Sequence, residues 1–168
     1  MAVSHKCFIS YHQEDLEQVN DFIARFDDRQ GRLIKRGILE GEDLINSTDT
    51  DYVMAEIRRR YLRDSTVTIV MLGRCTWSRR FVDWELQSSL RQLANGLPNG
   101  LISVRLNSNG YLPDRFAENY PGYAKAHSYP SSGAELSRWI DEAFDARTTQ
   151  AHLISNPRER FKNNRSCP

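Results

Sequence analysis

The 168-residue chain has no run of eighteen apolar residues, so no transmembrane helix is expected. Met1 to Lys6 lacks the charged region and apolar run of a signal peptide, and a cytoplasmic location is the expectation. Cysteine is scarce. Cys7, Cys75 and Cys167 are an odd number without Cys-x-x-Cys spacing, which argues for a reducing compartment and against a disulfide framework or a zinc knuckle. His5, His12, His127 and His152 are scattered with no His-x-x-x-His pair, so no metal is assigned. Neither a Gly-x-x-x-x-Gly-Lys-Ser/Thr loop nor a Gly-x-Gly-x-x-Gly fingerprint occurs, which counts against an NTPase or a Rossmann dehydrogenase. A strong charge of one sign is also missing. The net charge of +1 leaves no electrostatic case for nucleic acid.

What is present is ordinary for a soluble α/β domain: 39% hydrophobic and 27% charged residues, in a length that suits one core. The charge is uneven. Arg147, Arg158, Arg160, Lys162 and Arg165 against Glu159 give residues 147–168 a net +4, leaving residues 1–146 at −3. The division expected is a domain over 1–146 and a polar basic tail over 147–168, its cations solvated, with one helical turn near Pro157–Phe161.

Lys6 to Tyr11 reads as a short buried strand. Leu16, Val19, Phe22, Ile23 and Phe26 recur at helical spacing, predicting a helix over Asp15–Asp28 with Glu14 and Asp15 in its first turn. A weak extended run, Leu33–Leu39, leads to a polar loop. Asp49 or Thr50 caps a helix over Asp51–Arg63. Thr66–Leu72 is the central strand, apolar without alternation, as when both faces are covered. Ser78–Leu97 is the longest amphipathic pattern. Leu101–Leu106 is another strand, 107–130 a long Tyr/Pro/Gly-rich connection ending in an extended piece near Lys125–Tyr129, and Ser132 caps a last helix over Gly133–Ala146. This βα alternation predicts a flavodoxin-like α/β fold: a parallel sheet of about 4–5 strands with helices on both faces.

The chain is organised around Cys75–Glu85, where the central strand hands over to the longest amphipathic stretch. Ligands of open α/β sheets bind at that edge. Ser10, Tyr11 and His12 follow the first strand, the loop Glu42–Thr50 with Asn46 follows the second, and Trp77 and Ser78 follow the central one. Topology alone lets them reach one crevice. On the helix, Glu85 falls about 100° from the centre of the apolar stripe Val82, Leu86, Leu90, Leu93 and Leu97. That is a flank position, neither core nor outward. Phe81 is one turn earlier on the same side. Arg79 and Arg80 stand at the helix start, where an anion is favoured and a pyrophosphate could be held. Trp84 points away from the stripe and needs a cover, which a subunit contact would supply.

These residues resemble a known family. Cys7-Phe8-Ile9-Ser10-Tyr11-His12 resembles the opening strand and turn of TIR domains. Thr76-Trp77-Ser78 followed by Phe81-x-x-x-Glu85 resembles the TIR catalytic helix. Residues 4–146 resemble the bacterial TIR-like family of the NAD-cleaving subunit of the Thoeris antiphage system. The resemblance implies a TIR-type fold and cleavage of NAD+, as substrate rather than cofactor, at the nicotinamide–ribose bond. Glu85 would be catalytic, with Ser10, Tyr11, His12, Asn46, Trp77, Ser78 and Phe81 at the substrate. It further implies a cyclic ADP-ribose isomer as product, a separate effector protein that responds to it, and a phage-derived trigger. TIR enzymes commonly carry Trp four residues before the glutamate; here Phe81 can stack but has no indole N–H.

One carboxylate suits that chemistry. Nicotinamide leaves as a neutral molecule from a cationic bond and needs no general acid, while a carboxylate stabilises the oxocarbenium-like ribose. Two other readings stand beside it. One is a non-catalytic TIR-like adaptor acting by self-association. The other is a different flavodoxin-like nucleotide protein, such as a receiver, which Gly73-Arg74-Cys75 disfavours where an accepting Asp should lie.

Overall fold

The computed structural model describes residues 5–27, 33–35, 49–92, 96–106 and 109–168. Among these, five strands form one parallel sheet in the order β2-β1-β3-β4-β5: β1 (Cys7–Ser10), β2 (Leu33–Lys35), β3 (Val67–Leu72), β4 (Gly100–Arg105) and β5 (Lys125–His127). The helices are α1 (Leu16–Phe26), α2 (Thr50–Ile57), α3 (Arg80–Ser89), α4 (Asp114–Asn119) and α5 (Gly133–Thr149). The α/β fold expected from the βα alternation is the one found. Chain direction across the sheet reverses between β1 and β3, so the crevice at their carboxyl ends is the topological switch point. No helix among the described residues is long and apolar enough to cross a membrane.

All six side chains of β3 are buried, because helices cover both faces of the sheet. On one face Cys7, Ile9, Tyr11, Ile69, Met71 and Ile102 pack against Phe22 of α1 and Trp139 of α5. On the other, Val70, Leu72 and Leu101 meet Val82 and Leu86 of α3 and Phe116 of α4, while Phe8 meets Val53 and Ile57 of α2 and Phe81 and Trp84 of α3. The strand period of two therefore turns Ser10, like Phe8, toward α2 and α3, and Tyr11 toward α1 and α5. Register sets Ser10 beside Val70 and Val70 beside Ser103.

The caps agree with the sequence. The Asp49 side chain accepts from the N–H groups of Asp51 and Tyr52 at 3.1 and 3.2 Å, and Ser132 Oγ accepts from Glu135 N at 3.2 Å. Extents differ. The helix expected over Ser78–Leu97 is a turn, Thr76–Ser78, followed by the ten residues of α3. Ten helical residues span about 15 Å and a six-residue strand about 20 Å, so the turn and α3 together return the chain across β3. Asn99 N then bonds Ser89 O at 2.7 Å, β4 starts at Gly100, and Leu97 is left exposed. Gly100 is needed there, because a Cβ would strike the Ala143 carbonyl of α5. The 107–130 connection contains α4, too short for a helical period to register, with Arg115 and Phe116 fully buried.

Three expectations are corrected by the tail. Cys75 and Cys167, 92 residues apart, form a disulfide with Cα atoms 5.7 Å apart. No local spacing motif could signal it, because it depends on where the tail returns. The tail cations are not simply solvated either. Arg158 pairs with Glu118, Arg160 with Asp51, and Arg165 with Asp114. Arg147 Nε donates to Pro98 O at 2.8 Å. A short turn forms at Ala151–Leu153 rather than at 157–161.

Candidate functional site

At the switch point, Ser10 is fully buried on the α3 side of the sheet. Tyr11 is buried on the opposite side, within the α1–α5 core, so the structure separates these neighbours. His12 is partly buried, its Nε2 3.3 Å from Glu14 Oε2. Trp77 stands edge-on to Tyr111, ring centroids 6.2 Å apart. Ser78 locks the turn: its hydroxyl donates to Cys75 O at 2.7 Å, and its carbonyl accepts from Arg165 N at 2.8 Å. Asn46 and the rest of the loop 42–48 lie outside the described residues, as does the expected continuation of the second strand over 36–39.

Asp15, a first-turn carboxylate by sequence, lies in the crevice. It ends a short turn after β1 and is 7% exposed. Its carboxylate lies where a Cβ on Gly73 would be, so a side chain just past β3 would have to displace it. Burial, then the charge of Glu14, pushes its carboxyl up to about 6, against the pull of a Thr76 hydrogen bond and the Arg74 charge. Thr76, also fully buried, accepts from Gly73 N at 2.9 Å and is 3.2 Å from Met71 O. The available signal was an acid pair directly after the first strand of an open sheet.

Glu85 was expected on a flank of its helix. It is 1% exposed. Its helical neighbours divide two apolar clusters: Val82 and Leu86 pack under β3 and β4, while Phe81 and Trp84 pack with Phe8 and α2. The carboxylate thus sits on α3 at the join of the two, on the sheet face that also receives Ser10. Phe81 stacks edge-on with Trp84 at 5.2 Å, and the Arg80 guanidinium lies 4.9 Å over the Phe81 ring. Arg80, Phe81 and Trp84 line a cavity of ≈ 750 Å³, whose other wall is the tail at Arg158, Phe161 and Lys162.

The cover that Trp84 needs comes from its own chain and not from a second subunit. Its Nε1 donates to Phe161 O at 2.8 Å. Asp83, one residue earlier, accepts from Phe161 N at 2.9 Å and from buried Arg115 at 2.9 and 3.3 Å. Arg115 also donates to Asn156 Oδ1 at 2.8 Å and Glu159 O at 3.3 Å. Arg80 N donates to Asn164 Oδ1 at 2.9 Å. The tail is therefore bound along α3, next to the residues expected to act.

Chemically, the arrangement offers a buried carboxylate, in a low-dielectric setting, on the same helix as an aromatic pair. A cation and a wide cavity adjoin that pair, and Glu85 itself does not line the cavity. Such a carboxylate stabilises developing positive charge far better than one in water. Compared with known families, residues 8–111 match the family model described as Thoeris protein ThsB, TIR-like domain. That range runs from β1 through α3 and β4 and includes Ser10, Phe81 and Glu85. No curated protein matches the chain.

Proposed function

The chain belongs to the Thoeris ThsB TIR-like domain family, associated with NAD-derived signalling in Thoeris defence, and on that premise we propose that it is an enzyme cleaving the nicotinamide–ribose bond of NAD+. The observation that carries this reading is the burial of Glu85 to 1% exposure, one helical turn from Phe81; the resemblance of Phe81-x-x-x-Glu85 to the TIR catalytic helix makes it the proposed catalytic glutamate. In this reaction the ribose C1′–nicotinamide bond breaks, and its electron pair leaves with neutral nicotinamide. Positive charge develops on the ribose, and the Glu85 carboxylate stabilises it. Phe81 offers a stacking face, and Arg80 above it offers a guanidinium for the diphosphate. Ser10 supplies a hydroxyl from the sheet, with His12, Trp77 and Ser78 framing the turn; Asn46 is carried over from the family, while Tyr11, buried in the core of the opposite face, stands apart from this set.

Capture of C1′ by water gives ADP-ribose. Capture by a group of the adenosine gives a cyclic isomer, which is the product we propose, since exclusion of water from a buried carboxylate favours the internal nucleophile. That isomer serves as the signal for a separate effector protein, released when a phage-derived component triggers the enzyme. The test is chromatography of the products after incubation with NAD+, with and without lysate of phage-infected cells. Nicotinamide together with a cyclic isomer is the expected result, lost in Glu85→Gln. Nicotinamide release that survives in Glu85→Gln would remove the catalytic assignment. No release under either condition would favour the adaptor reading.

A further inference from the structure

A second cavity lies in the groove between α2 and α3, closed on its open side by the tail. Its volume is ≈ 500 Å³, and its walls include Asp51, Met54, Arg58, Ser88, Arg91 and Arg160. Asp51, Met54 and Arg58 follow each other at helical spacing and so present one face of the α2 segment and the turn that continues it. Ser88 and Arg91 do the same at the end of α3. Neither Glu85 nor Phe81 lines this space, although it shares Arg160 and Gln87 with the cavity beside Phe81. Arg58, Ser88 and Arg91 also line a third cavity of ≈ 340 Å³ on their other side, so these three side chains form a rib between two open spaces.

Two features of the walls call for an anion. The first is charge. Three guanidiniums converge, and Asp51 is the one acid among the described wall residues. Asp51 pairs with Arg160 at 3.2 Å, and no ion pair joins Arg58 or Arg91 to an acid among the described residues. Burial, then the charges of Arg91 and Arg160, lowers the Arg58 pKa, with Asp51 pulling it back up. The second feature is an orphaned hydroxyl. Ser88 is 7% exposed, and its Oγ has no hydrogen-bond partner among the described residues. A buried hydroxyl left without a partner is costly to the fold.

We propose that this groove is a phosphate-binding site, distinct from the Glu85 site, in which Arg58, Arg91 and Arg160 hold a diphosphate group and Ser88 donates its hydroxyl to it. Guanidinium forks match phosphate oxygens in pairs, and the positive charge beyond the Arg160–Asp51 pair suits a dianion. The volume falls within the range of about 300–1,000 Å³ typical of small-molecule sites. It exceeds what a bare phosphate fills, and Met54 supplies an apolar wall for an organic part. The diphosphate can be free or borne by a nucleotide.

Calorimetric titration of the full chain with inorganic pyrophosphate, ADP and adenosine tests the site. Binding of pyrophosphate and ADP, weakened by added salt, without binding of adenosine, is the expected result. Equal affinity for the two ligands assigns the site to the free diphosphate, and tighter ADP assigns it to a nucleotide. Arg91→Ala, at an exposed position that the fold does not need, should weaken both by about tenfold or more, as a lost charged hydrogen bond does. Ser88→Ala should weaken them by a smaller factor of about three to ten. Glu85→Gln should bind as the wild type does, which keeps this site independent of the catalytic reading. Absence of binding by both phosphates, or unchanged affinity in Arg91→Ala, overturns the proposal. Arg58→Gln gives a second readout on the opposite wall, and unchanged affinity there overturns the role of Arg58.

Discussion

The two faces of the sheet differ in kind. Between the sheet and α1 and α5, the packed side chains are almost all apolar: Cys7, Ile9, Val19, Phe22, Ile69, Ile102, Leu136 and Ile140. Beneath α2, α3 and α4, polar groups are buried in number: Ser10, Thr68, Asp83, Glu85, Ser88, Ser103 and Arg115. Some are matched, as Thr68 Oγ1 is with Ser89 Oγ at 2.7 Å and Asp83 is with Arg115. The hydroxyls of Ser10, Ser88 and Ser103 have no partner among the described residues. Burying polar groups costs stability unless they are hydrogen-bonded. One face therefore serves cohesion, and the other carries groups suited to receiving a ligand.

That contrast can be broken most sharply by paired substitutions. Phe22→Ala, on the apolar face, should cost about 3–5 kcal/mol in chemical denaturation through the cavity it leaves. On the other face, Arg115→Ala should cost about as much, about 3–5 kcal/mol, because it strands the buried Asp83 carboxylate and releases the tail from α3. An Arg115→Ala midpoint shift well below that of Phe22→Ala would show the Asp83–Arg115 pair to be peripheral. Glu85→Gln should separate the two roles: nicotinamide release falls by ~10²–10³, while the denaturation midpoint barely moves. A large stability loss with that substitution would make Glu85 a structural residue.

Smaller effects sharpen the comparison at the crevice. Reducing the Cys75–Cys167 bond, or replacing both cysteines with Ser, should lower stability by about 2–4 kcal/mol, as expected for a long closed loop. The checking measurement is a thermal melt with and without a dithiol. Asp15 gives a pH signature. Its folded carboxyl holds a proton up to about 6, above the ordinary 3.8, so the native state binds more protons between those values. Stability contributed by this group is present at low pH and is lost as pH rises from about 4 to 6, by up to about 3 kcal/mol. Asp15→Asn should flatten that slope in melts recorded from pH 4 to 8. An unchanged slope would mean that Asp15 ionises normally in the fold.

The legible parts of the sequence were those with a local signal. TVTIVML gave a strand buried on both sides, and Asp49 and Ser132 gave helix caps that the structure bears out. The strand-to-helix corner was legible because β3 and α3 are contiguous in sequence. What escaped depends on distance along the chain. Trp84 looked unfinished because its cover, Phe161, is 77 residues away and bonds through a backbone carbonyl that composition does not reveal. Glu85 looked like a flank residue because helical geometry reports angle, while burial depends on what α2 and the sheet bring to that side. Asp15 looked like an ordinary helix-start acid for the same reason. Its burial depends on Gly73, just past the end of the neighbouring strand β3.

The bond between Cys75 and Cys167 also sets an order in time. As the chain leaves the ribosome, the five strands and α5 emerge before the residues that complete the strand-to-helix corner. Asp83, Trp84 and Arg115 await partners that are synthesised later, among residues 155–165. Cys75 waits longer still, for residue 167. The neighbourhood of Glu85 is thus complete only once residues 156–167 are in place, so the corner depends on a part of the chain far from it in sequence.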